Sequence, residues 1–487
     1  MSTPSLRAVL RRARTRERSF GDHLYAGYLG VLVLLVVAAP LIRAVWMLLV
    51  DPVVVPMLAA APVSALPALC LLAGGIALVL GAAAGPAART PLLTAILADS
   101  PLSRVRAFGG PMLRACAIGG AVLGGVLAAW AWPLVTVGTL TPATAIEWSV
   151  FGFGLGMVAG TLTLVGQRFP HPAPLVGAAL IALSLAVGVL PTPPLASLSD
   201  DVRAVSVLMA VIAAVVSVGA IPLLLNSLRS SALVSTAQRR ESAIDGAVLL
   251  DTAAVADATR SVPHTGRGRR AVGPVSGRGA LPLVFLRRDS VGWTRTPGRL
   301  VVAIVGLLGA GVLGVFALSA PGTAWLAVPG AVIVYAAAGP FTDGVRLAAE
   351  ASDAPALYGV SPLTLLGLHL VAPAAVWLTA IIGATVLVVL GVVPAAAVVC
   401  VVLIGTAALA ARVADARKPP LPVAMLAPIV TPFGDMAAAN RVIWTLGPVL
   451  ATAAVGLTAT VPALSAAILA GLLLHAASRW RSARLHG

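Results

Sequence analysis

The sequence predicts an all-α integral membrane protein of about twelve transmembrane helices, in two related six-helix halves with both termini cytoplasmic. Three observations predict it. Hydrophobic residues make up 59% of the 487 positions and charged residues 10%, with a mean hydropathy of +1.01; soluble chains carry roughly a quarter charged residues. Windows of about 20 apolar residues recur, each long enough to cross roughly 30 Å of hydrocarbon. The basic residues sort to one side of those windows, as they do in loops facing the cytoplasm.

In chain order, the first half places spans at Ala26–Val50, Val63–Gly85, Pro111–Gly138, Thr144–Val165, Ala173–Leu190 and Val202–Leu225. The second half places them at Leu300–Ala320, Thr323–Thr342, Leu365–Val392, Ala395–Ala414, Val442–Leu457 and Pro462–Ser478. Short links make their flanking helices antiparallel neighbours. The segments 173–190 and 442–457 leave open a re-entrant or partly broken helix. With the N-terminus inside, all of the 33 Lys and Arg residues except Arg43 and Arg203 fall on the cytoplasmic side. The net charge of +16 is therefore read as topological and not as a nucleic-acid surface. The basic stretch Arg7 to Arg18 precedes a full-length span, so no cleavable signal is expected.

Residues 1–232 form the first membrane half, 233–280 a cytoplasmic linker and 281–487 the second half. The linker starts with helical spacing of Ile244, Ala247, Val248, Ala254 and Val255, then becomes rich in Gly, Arg, Pro and Ser from Ser261 to Gly279. Leu6, Val9, Leu10 and Ala13 among arginines, and Leu283, Phe285, Leu286 and Trp293 among Arg287, Arg288 and Arg295, predict an amphipathic helix on the inner membrane surface ahead of each half. The halves share further marks. Ser19 and Ser290 precede the first and seventh spans, 271 residues apart (19 to 290), and a Ser-Pro-Leu recurs 261 residues apart (100 to 361) in the loops after the second and eighth.

Known chemistry is sparse. No G-x-x-x-x-G-K-[ST] phosphate loop exists, and Lys418 is the only lysine, so the chain has no ATPase motif. Cys70, Cys116 and Cys400 lie in apolar segments and read as small hydrophobes. The six histidines never pair at metal-ligand spacing; His369 and His475 read as packed polar or interface residues. Neither a metal nor a catalytic group is expected. Glu147, just inside the outer end of the fourth span, is the ionisable candidate for a translocation path.

The two Ser-Pro-Leu loops are the informative polar elements. Leu92, Leu93, Ile96 and Leu97 lie on one helical face, the design of a short interfacial helix that docks in a groove of a soluble partner. At these loops the chain resembles the permease subunits of ABC-2-type exporters, in which a half often carries an apolar-Ser-Pro-apolar-Ser-Arg stretch between its second and third spans. Leu97-Ala98-Asp99-Ser100-Pro101-Leu102-Ser103-Arg104 fits that pattern; Tyr358-Gly359-Val360-Ser361-Pro362-Leu363-Thr364 fits it without the basic residue. The resemblance covers nearly the whole chain as topology and these few residues as motif.

The resemblance implies a multi-pass permease of the bacterial plasma membrane that meets two copies of an ABC ATP-binding subunit. Its coupling residues would be Leu97, Asp99, Ser100, Pro101, Leu102 and Arg104 in the first loop and Tyr358, Ser361, Pro362 and Leu363 in the second. ATP and Mg would reside on the partners, with no cofactor in this chain. Membrane lipid surrounds it, no nucleic acid is expected, and scarce intramembrane charge points to an amphipathic or apolar substrate. A twelve-helix secondary transporter, a membrane-embedded enzyme and a non-catalytic membrane scaffold are the other readings.

Overall fold

The computed structural model describes residues 39–248, 280–319, 323–352, 359–418 and 437–482, with a few positions besides. The segment expected to form the N-terminal amphipathic helix, most of the first half of the first span, most of the Gly/Arg-rich linker and Tyr358 lie outside the described residues. What is described is almost wholly helical, apart from a two-residue antiparallel pairing of Val430–Thr431 with Gly434–Asp435.

The first bundle runs α1 (Ala39–Leu49), α2 (Val54–Ala59), α3 (Ala65–Ala84), α4 (Pro91–Ala98), α5 (Arg104–Thr136), α6 (Pro142–Arg168), α7 (Ala173–Gly188), α8 (Asp200–Ser227) and α9 (Ser230–Val248). The second runs α10 (Leu281–Arg295), α11 (Pro297–Ser319), α12 (Ala327–Ala338), α13 (Asp343–Ser352), α14 (Pro362–Val389), α15 (Ala396–Ala416), α16 (Ala437–Leu457) and α17 (Pro462–Ser482). Among the described residues eight helices are long and apolar enough to cross a membrane: α3, α5, α6, α8, α11, α14, α15 and α17. A ninth candidate is the pair Ala324–Ala338 and Pro340–Ala351, bent by 42°. The chain is thus a multi-pass helical membrane protein. α7 has 16 residues and is shorter than a typical span.

The same four helix pairings occur twice. In the first bundle α3 packs on α6 and α7, and α6 packs on α5 and α8; in the second, α12 packs on α15 and α16, and α15 packs on α14 and α17. The bundles meet where α7 lies against α11. There Gly298 leaves room for Pro174, whose Cβ would stand 2.7 Å from an added side-chain carbon.

Glycine sets the spacing in the first bundle. Gly152, Gly156 and Gly160 recur every fourth residue of α6 and face Cys116, Gly120 and Gly124 of α5. This small-residue stripe lets two backbones touch. A Cβ on Gly119 would sit 2.5 Å from the Gly156 carbonyl oxygen, and one on Gly160 would sit 2.6 Å from Cys116 Cα. In the second bundle α15 has a single glycine, Gly405. The Trp377 ring of α14 lies directly over it, where a Cβ would overlap the indole. An indole in place of a glycine stripe holds α14 off α15.

The bend after α12 has a local cause. Pro340 has no N–H for the Ala336 carbonyl, which weakens the helix at this point. The Gly339 N–H turns instead to the Ala336 carbonyl at 3.1 Å, which strips the Tyr335 carbonyl of its helical donor. Arg412 of α15 replaces it, donating from Nε at 3.0 Å and Nη2 at 2.7 Å, with its guanidinium 3.9 Å from the Tyr335 ring centroid.

These packing differences give a direct test. Gly156→Leu forces α5 and α6 apart and lowers stability by about 2 kcal/mol, within the usual cost of overpacking. Gly383→Leu in α14, where an added Cβ meets no atom within 4 Å, stays within about 0.5 kcal/mol of the parent. Thermal unfolding of the detergent-solubilised protein measures both.

Candidate functional sites: the loop helices, a buried His–Asp pair and an apolar cavity

α4 is built to stay in place while presenting a face. Pro91 sits at its first turn, where a missing N–H costs nothing. Behind it, the buried Gln167 side chain accepts from the Ala87 N–H at 3.0 Å, and Arg89 Nε donates to the Ala107 carbonyl at 3.0 Å. Thr94 and Leu97 are buried, Leu97 against Phe108, Leu225, Leu228 and Leu233. On the other face Leu92 is 74% exposed and Ile96 47% exposed, one helical turn apart.

The following loop is tied down by its serine. Ser100 Oγ donates to the Leu97 carbonyl at 2.9 Å. From α9, Ser230 Oγ donates to the Ala98 carbonyl at 3.2 Å and accepts from Arg104 Nη2 at 3.3 Å. Asp99 and Pro101 are exposed, while Leu102 is half-buried against the first core. The sequence pointed to this loop but gave no sign of its dependence on α9. On α9 itself, burial pushes the Arg239 guanidinium below its ordinary value.

The second Ser-Pro-Leu is built differently. Ser361 is an N-cap: its Oγ accepts from the Thr364 N–H at 3.2 Å, and Pro362 is the first helical residue of α14. In the first loop the helix starts only at Arg104, with Ser103 before it. Leu363 packs with Val345, Ala348 and Trp480. α13 buries Gly344, Val345, Ala348 and Ala349, and exposes Leu347. The two loops share position and tripeptide, not cap geometry.

Glu147 lies in an ion pair at the end of the bundle opposite α4. Arg203 Nε donates to it at 2.5 Å, and Arg203 Nη2 donates to Asp200 at 2.5 Å. Its neighbour Trp148 is fully buried between Trp130 and Phe151. Glu147 therefore helps fix α6 to α8.

A buried pair went unseen in the sequence. The His369 side chain (1% exposed) and that of Asp289 (6%) lie 2.9 Å apart, Nδ1 to Oδ2. Phe285 stands edge-on to the imidazole, with centroids 4.8 Å apart. A Cβ on Gly344 would come within 2.6 Å of Asp289 Oδ2 and would collide with His369 Nδ1. Three elements thus close on one couple: α10, the start of α13, and α14. The readable signal was an acid in the apolar stripe Phe285, Asp289, Trp293, each one turn from the next. Nearby, Arg299 forks onto Asp343 at 2.5 and 3.2 Å. At the repeat offset of 261, the partner of His369 is Phe108, which is also fully buried.

Between α11, α12, α14 and α15, with α7 on one side, lies a cavity of about 1320 Å³. It is larger than the roughly 300–1,000 Å³ typical of small-molecule pockets. It exists where Trp377 separates α14 from α15. Its lining is apolar; the Thr379 hydroxyl is internally spent, donating to the Ala375 carbonyl at 2.9 Å. Glu147 does not line it. Among the described residues no three His, Cys, Asp or Glu side chains gather as a metal site.

His369→Phe leaves Asp289 buried without its partner and costs about 3–5 kcal/mol. Combining it with Asp289→Leu recovers most of that loss, since the paired position in the first bundle is already a phenylalanine. Denaturation of both variants in mixed micelles reads the coupling.

Comparison with family models, curated proteins and solved structures finds no match.

Proposed function

We propose that the chain is the permease subunit of an ATP-driven ABC-2-type exporter in the bacterial plasma membrane. It spans about twelve times, with both termini cytoplasmic. Two copies of a separate ATP-binding subunit supply ATP and Mg, and the substrate is amphipathic or apolar.

The observation that carries this reading is α4. A helix anchored on one face by Thr94 and Leu97 leaves Leu92 and Ile96 exposed on the other, next to a loop braced by Ser100, Ser230 and Arg104. Exposed apolar residues one turn apart on a fixed helix are helix-in-groove anchors. The twofold recurrence of the helix pairings supports a duplicated transporter. The basic residues support the orientation: apart from Arg43 and Arg203, those on described helices gather toward the α4 end, which the positive-inside rule makes cytoplasmic. ATP-driven closure of the partners would press on the α4 and α13 regions and rock the bundles against each other.

One observation favours a second reading, a proton-coupled secondary transporter: the buried His369–Asp289 pair is a protonatable group inside the fold. Uptake into vesicles that persists on an ion gradient without ATP would decide for it.

The first test is affinity purification from native membranes in mild detergent. The permease reading expects a soluble subunit with a phosphate-binding loop at two copies per chain. Leu92→Asp with Ile96→Asp lowers its recovery by about tenfold or more, as for loss of anchor residues, while the membrane subunit still elutes as a monodisperse species. Undiminished recovery of that partner with the double variant would remove α4 from the interface.

A further inference from the structure

The second-bundle cavity runs nearly the whole length of α11. Its lining follows α11 from Leu300 to Leu318, which at 1.5 Å per residue is about 27 Å. The hydrocarbon core of a bilayer is roughly 30 Å, so one leaflet supplies only about half that length. At one end stand Trp293, Leu300 and Phe341, and at the other Leu318, Val392 and Val393.

The space is open, not merely soft. Gly311, Gly314 and Gly383 line it, and a Cβ on any of them would meet no atom within 4 Å. At the α5–α6 crossing, by contrast, Gly119, Gly152 and Gly160 meet neighbouring backbone, whereas Gly125 and Gly219 of the same bundle face open space. Among the described residues no Asp, Glu, Lys, Arg or His lines the cavity. Charges, among the described residues, stand at one mouth. Arg299 precedes Leu300 and holds Asp343, two residues beyond Phe341, and Arg295 lies one turn earlier. At the far mouth, residues 386–394 carry no charge.

We propose that this cavity binds a long-chain amphiphile, a very-long acyl or polyprenyl chain that crosses the bilayer midplane. Its polar head sits at the α10–α13 end beside Arg299 and Asp343, and its chain terminus reaches Val392. An ordinary leaflet lipid is too short to fill the full depth. The apolar lining solvates the chain without any polar group to satisfy, and the charged mouth alone offers partners to a headgroup. The cavity also touches α7 of the first bundle through Ala182, Leu185 and Val189, so an occupant contacts both bundles. The proposal names the substrate class for the permease reading, but binding itself requires no ATPase.

Photolabelling of the full chain in phosphatidylcholine nanodiscs tests it. The probes are lignocerate and palmitate, each with a diazirine at the chain end, and lignocerate with the diazirine beside the carboxylate. Labelled residues are located by peptide mass spectrometry. Chain-end lignocerate is expected to label residues 386–393 and Leu318 several-fold more than chain-end palmitate does, and the head-proximal probe to label Trp293, Leu300 or Phe341. Gly311→Phe and Gly383→Phe fill the space and remove the far-end label. Leu378→Phe, on the outward face of α14, retains it. Equal far-end labelling by both chain lengths, or labelling unaffected by the two filling variants, would mean bulk lipid only and overturn the proposal. Because no arm uses ATP or a partner subunit, such a failure leaves the permease reading standing.

Discussion

How closely two helices approach decides the shape of this molecule. In lipid there is no hydrophobic drive to press helices together, so van der Waals fit at each crossing governs association. The first bundle resolves its central crossing with glycine: α5 and α6 touch backbone to backbone along Gly119, Gly156 and Gly160. The second bundle repeats the pairing of α14 with α15 and puts Trp377 across Gly405. One architecture thus yields a closed pair in one bundle and a separated pair in the other. The cavity and the open glycines that line it lie beside that separation.

Charge follows a second constraint, that an ion away from water needs a partner. Arg203 is nearly buried and takes two acids, Glu147 and Asp200. Arg412 supplies donors where Pro340 breaks the helix. Asp289 and His369 satisfy each other inside an apolar shell made by Phe285 and the Leu365 and Leu366 side of α14. A buried pair of this kind adds little net stability over apolar packing, yet severing it is costly. Its physical effect is to fix register: α10, α13 and α14 cannot slide past one another without separating the two groups.

The class of the fold was legible because apolar windows of membrane length are hard to mistake. Other features needed three dimensions. The Asp289–His369 pair spans 80 residues, and no local pattern joins them, although an acid within the Phe285–Trp293 stripe marked half of it. Glu147 read as a candidate for the path; the arginine that neutralises it stands 56 residues later. The cavity was illegible for a different reason: it depends on which residue occupies a crossing, and sequence alone does not say that Trp377 meets Gly405. The long α5 was read short at its start, because Arg104 to Gly110 are helical before the apolar window begins.

The two loop regions are related in position and unequal in wiring, and on the permease reading that inequality has a mechanical meaning. α4 is braced against α9 and the first core, with an apolar face left free, so it suits the task of receiving a partner. α13 has its inner face buried, and its first residues are committed inward. Gly344 touches the His369–Asp289 couple, Asp343 holds Arg299 at the foot of α11, and the turn Pro340–Thr342 just before it carries Phe341 into the cavity wall. A displacement of α13 therefore acts on the cavity within a few residues, whereas a displacement of α4 must pass through α3 and α7 before it reaches the α7–α11 seam. Tight crossings transmit motion as rigid bodies, and loose ones absorb it. A closed first bundle moving as a block against a second bundle that holds the void is the motion this packing favours, with the space between α14 and α15 as the volume that changes.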